Sequence, residues 1–95
     1  MAQVIGKLIS IMPEVSGTTD NGEWVRGGFV VLCGDGNSRS VALTLFGRER
    51  IDMLSGLSIG DTVIADYFPE SHEYGTKWFT DLRCTRIMVA RKQGI

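Results

Sequence analysis

Phe29, Val31 and Cys33 alternate with Gly28, Val30 and Leu32; beyond Gly34-Asp35-Gly36-Asn37 the alternation resumes as Val41, Leu43 and Leu45 against Ala42, Thr44 and Phe46. A period of two sends successive side chains to opposite faces of an extended chain. Glycine and asparagine adopt positive φ at little cost, so the tetrapeptide between the runs reads as a hairpin turn. Residues 24–33 and 39–46 are therefore expected to pair as antiparallel strands. Trp24 and Arg26 would share the face opposite Phe29, and Phe46 the face opposite Leu43 and Leu45. A lone hairpin is marginal in water, so the rest of the chain has to cover this apolar face.

Residues 4–12 are β-branched and partly alternating and are expected to form the first strand, stopped by Pro13. Residues 14–22 are polar and end in Asn21-Gly22, which reads as a loop closing in a tight turn. Residues 48–54 are rich in helix formers, with Ile51 and Leu54 on one side, and Gly56 closes this short helix. Residues 62–68 form the fourth strand, a polar loop follows from Pro69 to Gly75, and residues 77–90 form a long fifth strand. Three strands, a short helix, then two strands is the element order of the OB-fold. The expected class is all-β: a five-stranded Greek-key barrel with a short helix between strands 3 and 4, one domain over residues 1–95. Closing the sheet removes its edges, which suits a chain this small.

With 43% hydrophobic and 22% charged residues the chain is too apolar to stay disordered. Its longest unbroken apolar run, residues 29–33, is far short of a membrane span. Met1-Ala2-Gln3-Val4 lacks the basic and apolar stretches of a secretion signal, and two cysteines suit a reducing compartment, so a cytoplasmic location is expected. Cys33 and Cys84 lack closely spaced partners and His72 is the single histidine, so no metal site is expected and both thiols read as inert strand residues. His72 sits in the expected loop with no nucleophile aligned to it, so neither catalysis nor a cofactor is expected.

The net charge is −1 but unevenly spread. Residues 77–95 carry Lys77, Arg83, Arg86, Arg91 and Lys92 against Asp81 alone, a balance of +4, and residues 1–76 carry −5. Arg83 and Arg86, three apart on one strand, are expected to point to opposite faces, and Arg91 and Lys92 to form a loose tail.

Several stretches carry a resemblance: Gly6-Lys7-Leu8-Ile9, Pro13-Glu14-Val15-Ser16-Gly17, Gly22-Glu23-Trp24, Thr44-Leu45-Phe46-Gly47, Gly60-Asp61, and the block from Glu73 to Arg83 that contains Tyr74-Gly75-Thr76-Lys77-Trp78-Phe79. Together they resemble a family of small bacterial proteins, common in Bacteroidetes, of unassigned function. The resemblance implies an OB-fold similar to that of single-stranded DNA-binding proteins, and hence a single-stranded nucleic-acid partner, with DNA favoured over RNA.

Such a ligand is held by stacking bases on exposed rings while nearby cations neutralise phosphates. Trp24 and Phe46 are the expected stacking rings, with Tyr74 as a further ring on the loop, and Arg26, Arg39 and Lys77 as phosphate contacts. Gly28, Ala42 and Thr44 would leave a shallow groove between the rings. Two other readings remain open. Trp24, Phe46 and Trp78 can instead cap the barrel ends, with Trp78 the most core-like of the three. The outer stripe of Val30, Leu32 and Ala42 can instead meet a protein partner or a second copy of the chain, making a homo-oligomer.

Overall fold

A computed structural model describes residues 1–93. Strands β1 (Ala2–Thr19), β2 (Gly22–Cys33), β3 (Arg39–Phe46), β4 (Thr62–Tyr74) and β5 (Lys77–Arg91) close into a barrel in the order β1-β2-β3-β5-β4. Helix α1 (Arg48–Ile51), extended by a 3-10 turn over Asp52–Leu54, lies between β3 and β4. Neighbouring strands are antiparallel except β3 and β5, which meet in parallel through the single pair Thr44 and Arg83. The chain is thus an OB-fold barrel, as the element order implied.

The core is the inward half of the alternation. Leu8, Phe29, Val31, Leu43, Leu45, Val63, Ala65, Cys84 and Ile87 are buried, and Ile51 of α1 plugs one end. The plug can seat because Gly27 lies beneath it: a Cβ there would stand 3.3 Å from Ile51 Cγ1. At Gly28 the Cβ position is already filled by the Met12 methyl and the Leu43 carbonyl. Burial pushes the Cys84 thiol up to about 11, so it stays protonated and unreactive near neutral pH.

Two expected loops are strands. β1 continues through Pro13 to Thr19, and β4 through Pro69 to Tyr74, so the β1–β2 and β4–β5 connections are long two-stranded arms. β1 pairs with β4 as far as Lys7 and with β2 from Lys7 onward, and β4 loses its β1 partner after Tyr67. From there each strand has one open edge, where a proline's missing N–H breaks no ladder. Pro13 also lies within a bulge between Met12 and Val15. Beyond the barrel neither face of an arm is covered, and residues 18–24 and 69–80 are exposed throughout.

A bulge at Thr85 overturns the expected geometry of β5. Arg86 pairs with Asp66 and Arg83 with Phe68, two residues apart on β4, so both arginines are on the same side of the sheet. The extra residue cancels the odd spacing.

The basic tail is not loose. Arg91 belongs to β5, and Lys92 donates through Nζ to Asp61 Oδ2 (2.9 Å) and to the Gly56 carbonyl (2.9 Å). Asp61 is fully buried and also accepts the backbone N–H groups of Ser58 and Gln93, each at 2.9 Å. Its own carbonyl accepts the Leu8 N–H at 2.8 Å. One residue therefore ties three parts together: its carboxylate holds the loop after α1 to the end of β5, and its backbone carbonyl holds strand β1. The Lys92 ammonium, followed by the two backbone donors, holds its pKa down from 3.8 to about 2.

Candidate functional site

Trp24 stands on the β1–β2 arm opposite Gly17, its register partner. The indole lies across that glycine: a Cβ on Gly17 would come within 2.6 Å of Trp24 Cζ2. One side of the ring is therefore backed by backbone, and the side chain remains 41% exposed. Trp24 and Phe46 line the same open groove of about 820 Å³, together with Gly17, Thr18, Gly47 and Arg48. Gly47 has φ of 94°, which lets the chain leave β3 and enter α1 at once while its N–H bonds the Val25 carbonyl at 2.9 Å. Two carboxylates, Glu14 and Glu23, also line the groove. Arg48 grips Glu14 by both oxygens, at 2.9 and 2.8 Å, and this pairing lowers the glutamate's pKa and raises the arginine's.

Phe46 is half-buried, and a cation sits on it. The Arg83 guanidinium carbon lies 4.2 Å from the centre of the Phe46 ring and 5.9 Å from that of Phe68. Arg83 Nη1 donates to Glu70 Oε1 at 2.8 Å, whereas its buried Nε has no hydrogen-bond partner among the described residues. Arg26 pairs with Phe46 across β2 and β3 and lines an adjoining depression with Met12, Thr44 and Asp81. Met12 covers Gly28, so the shallow groove expected at the small residues is filled there.

The β4–β5 arm continues this face outward. Its register pairs Phe68 with Arg83, Glu70 with Asp81, His72 with Phe79 and Tyr74 with Lys77, and alternation puts all eight residues on one side. His72 is thus a strand residue, its ring stacked on Phe79 at 6.0 Å between centroids. Tyr74, 78% exposed, faces Lys77 at the tip. Trp78 lies on the opposite side of the arm, opposite Glu73, and is 67% exposed, so it is not a core residue.

Of the six residues expected at the site, the structure brings Trp24 and Phe46 into one groove with Arg26 beside them, and sets Tyr74 and Lys77 on the arm that leads from it. Arg39 lies apart, against the Gly34 turn at the other end of β3. That is about 23 Å from Phe46 at the usual rise per strand residue. Sequence reasoning missed Arg83, Phe68, His72 and Phe79. Only the register of the arm assembles them, and the polar composition of residues 69–75 gave no periodicity from which to read it. Among the described residues no three His, Cys, Asp or Glu side chains are grouped to hold a metal ion, and no helix is long and apolar enough to cross a membrane.

A comparison by sequence with curated proteins found no match. Among solved structures, the chain is similar to the mitochondrial single-stranded DNA-binding protein Rim1 of S. cerevisiae, with a TM-score of 0.66 and 13% identity over 96% of this chain and 95% of that one. A second crystal form of Rim1 gives a TM-score of 0.63 at 15% identity, covering 96% and 93%. The small single-stranded DNA-binding protein of Streptomyces coelicolor gives 0.51 at 16% identity, covering 93% and 89%. At such identities the likeness establishes the fold, which matches the closed five-stranded barrel found here. At the level of sequence, one family model spans residues 3–88, from the second residue of β1 to the outward Met88 of β5, and the chain belongs to that family, the domain of unknown function DUF3127.

Proposed function

We propose that this chain is a non-catalytic module that binds single-stranded nucleic acid, DNA in preference to RNA, by base stacking and phosphate contacts. The observation that carries the reading is the pairing of Trp24 and Phe46 in one open groove on the outside of the barrel. Trp24 offers a flat ring backed by Gly17, which suits a base of any identity because every base has a π-face. Arg26 and, on the arm, Lys77 neutralise phosphates as the strand leaves the groove, and Tyr74 stacks a further base near the tip. Arg39 contacts backbone only where a strand is long enough to follow β3 to its far end. The likeness to single-stranded DNA-binding proteins supports this reading at the level of fold.

Titrating the protein with oligo-dT at low salt should quench its tryptophan fluorescence saturably, and raising the salt should weaken the affinity as counterion release requires. The quenching should persist in Trp78→Phe, because Trp78 is on the other side of the arm. Absence of binding at high micromolar protein removes the proposal.

A second reading, self-assembly, is favoured by apolar side chains outside the barrel. Ile5, Ile64 and Met88 adjoin across β1, β4 and β5, with Ile5 and Met88 exposed, and Val30 pairs with Ala42 on the outer side of β2 and β3. Light scattering over a wide concentration range decides it. Self-assembly predicts a mass above 10.4 kDa that grows with concentration, and a constant monomer mass removes it.

A further inference from the structure

We infer that Arg83 is a phosphate-binding residue of this face and that Glu70 occupies it in the free protein, standing in for the phosphate. The inference rests on the nucleic-acid reading above and names the residue that reading lacks: a cation in the middle of the face, between the barrel groove and the arm. Arg83 is the β5 member of the single pair that joins β3 to β5, so the seam itself fixes its position. The guanidinium carbon lies over the Phe46 ring, with Phe68 further off, so on that side of Phe46 a ligand meets the arginine and not the ring. A guanidinium accepts bases on its face and phosphates at its edge, so the side chain serves both kinds of contact.

The resting position of Arg83 is incompletely satisfied. Glu70 takes Nη1 alone, and Nε is buried without a partner among the described residues, a state that costs free energy. The Glu70 carboxylate is 52% exposed, so water competes for this bond, and an exposed ion pair of this kind is weak. A phosphate approaching along the arm meets a guanidinium that is already oriented and 25% exposed, whose only bonded anion among the described residues is one monodentate carboxylate. In the exchange a phosphate takes the Nη1 edge that the carboxylate now holds, bringing a charge-assisted bond to the side of the guanidinium that faces Glu70. Asp81 pairs with Glu70 across the arm and adds a second negative charge on this side, but the Arg83 hydrogen bond goes to Glu70.

The test measures oligo-dT affinity by fluorescence anisotropy at several salt concentrations for wild type, Glu70→Gln, Asp81→Asn, Arg83→Gln and the Glu70→Gln/Arg83→Gln double variant. Glu70→Gln should tighten binding about two- to fivefold, the size of effect expected from releasing an exposed ion pair. It should also steepen the plot of log affinity against log salt by up to about 0.7, the contribution of one single-strand phosphate. Arg83→Gln should weaken binding and flatten that plot, and adding Glu70→Gln to it should then change nothing. Asp81→Asn controls for loss of negative charge alone and should leave the slope unmoved. An unchanged Glu70→Gln, or an equal gain in the Arg83→Gln background, overturns the inference while the nucleic-acid reading stands. A wild-type chain that binds no oligo-dT removes both. Glu70→Gln is isosteric and exposed, so its melting temperature should match wild type and its binding result stands on its own.

Discussion

Trp24→Ala should weaken oligo-dT binding by roughly 5- to 150-fold, the equivalent of the ~1–3 kcal/mol that one stacked base contributes. Trp24 lies on the β1–β2 arm, outside the core, so the barrel should remain folded and the loss should appear in affinity rather than in the far-ultraviolet spectrum. A companion change separates the ring from its placement. Gly17→Val leaves the indole intact but sets a side chain where the ring now lies, within 2.6 Å of Cζ2, and should reproduce much of the loss. Trp78→Ala, on the far side of the arm, should change affinity little. Equal affinities for wild type and Trp24→Ala would show that the groove stacks nothing.

Asp61→Asn should lower the melting temperature by on the order of 10 °C or more, a large shift for a domain of this length. The substitution keeps the shape but removes the charge that binds the Lys92 ammonium, and an amide replaces one of the accepting oxygens with a donor facing Lys92 or a backbone N–H. The acid dependence follows from the depressed pKa. The folded carboxyl titrates at about 2 and the unfolded one near 3.8, so the charged group stabilises the fold fully above pH 3.8. That contribution declines below 3.8 and is gone once the pH has fallen through about 2. Melting curves of wild type and Asp61→Asn should therefore differ by a constant amount above pH 4 and converge toward pH 2. A gap that stays constant down to pH 2 would show that the charge on Asp61 does not support the fold.

What was legible in the sequence was whatever one-sided burial had written into it. β2 and β3 alternate because one face meets the core, and the expected ranges, 24–33 and 39–46, nearly coincide with the observed strands. The short helix was visible through Ile51, its buried member. The arms were not, because a two-stranded ribbon with both faces in water has no pattern to display; residues 14–19 and 69–74 read as parts of polar loops, with Pro13 as a strand stop and Pro69 as the start of a loop. Both prolines are accommodated where the strand has an unpaired edge, a property of the tertiary pairing and not of the local sequence. The same limit applied to the site. Trp24, Arg26 and Phe46 lie on β2 and β3 and were recognised as neighbours, whereas Arg83 was set aside by a spacing rule that the bulge at Thr85 reverses. Trp78, read as the most core-like of the large rings, is exposed.

Strands β3 and β5 touch through one bridge, and Phe46 and Arg83 come together only across it. The hairpins of the chain can each form from neighbours in sequence, yet none of them joins this ring to this guanidinium. Completion of the face is therefore the same event as closure of the cylinder. A molecule sprung open at that seam would keep most of its ladder hydrogen bonds and lose its composite surface altogether, so ligand occupancy would report on the intactness of the barrel and would in turn brace it at its most thinly bonded joint.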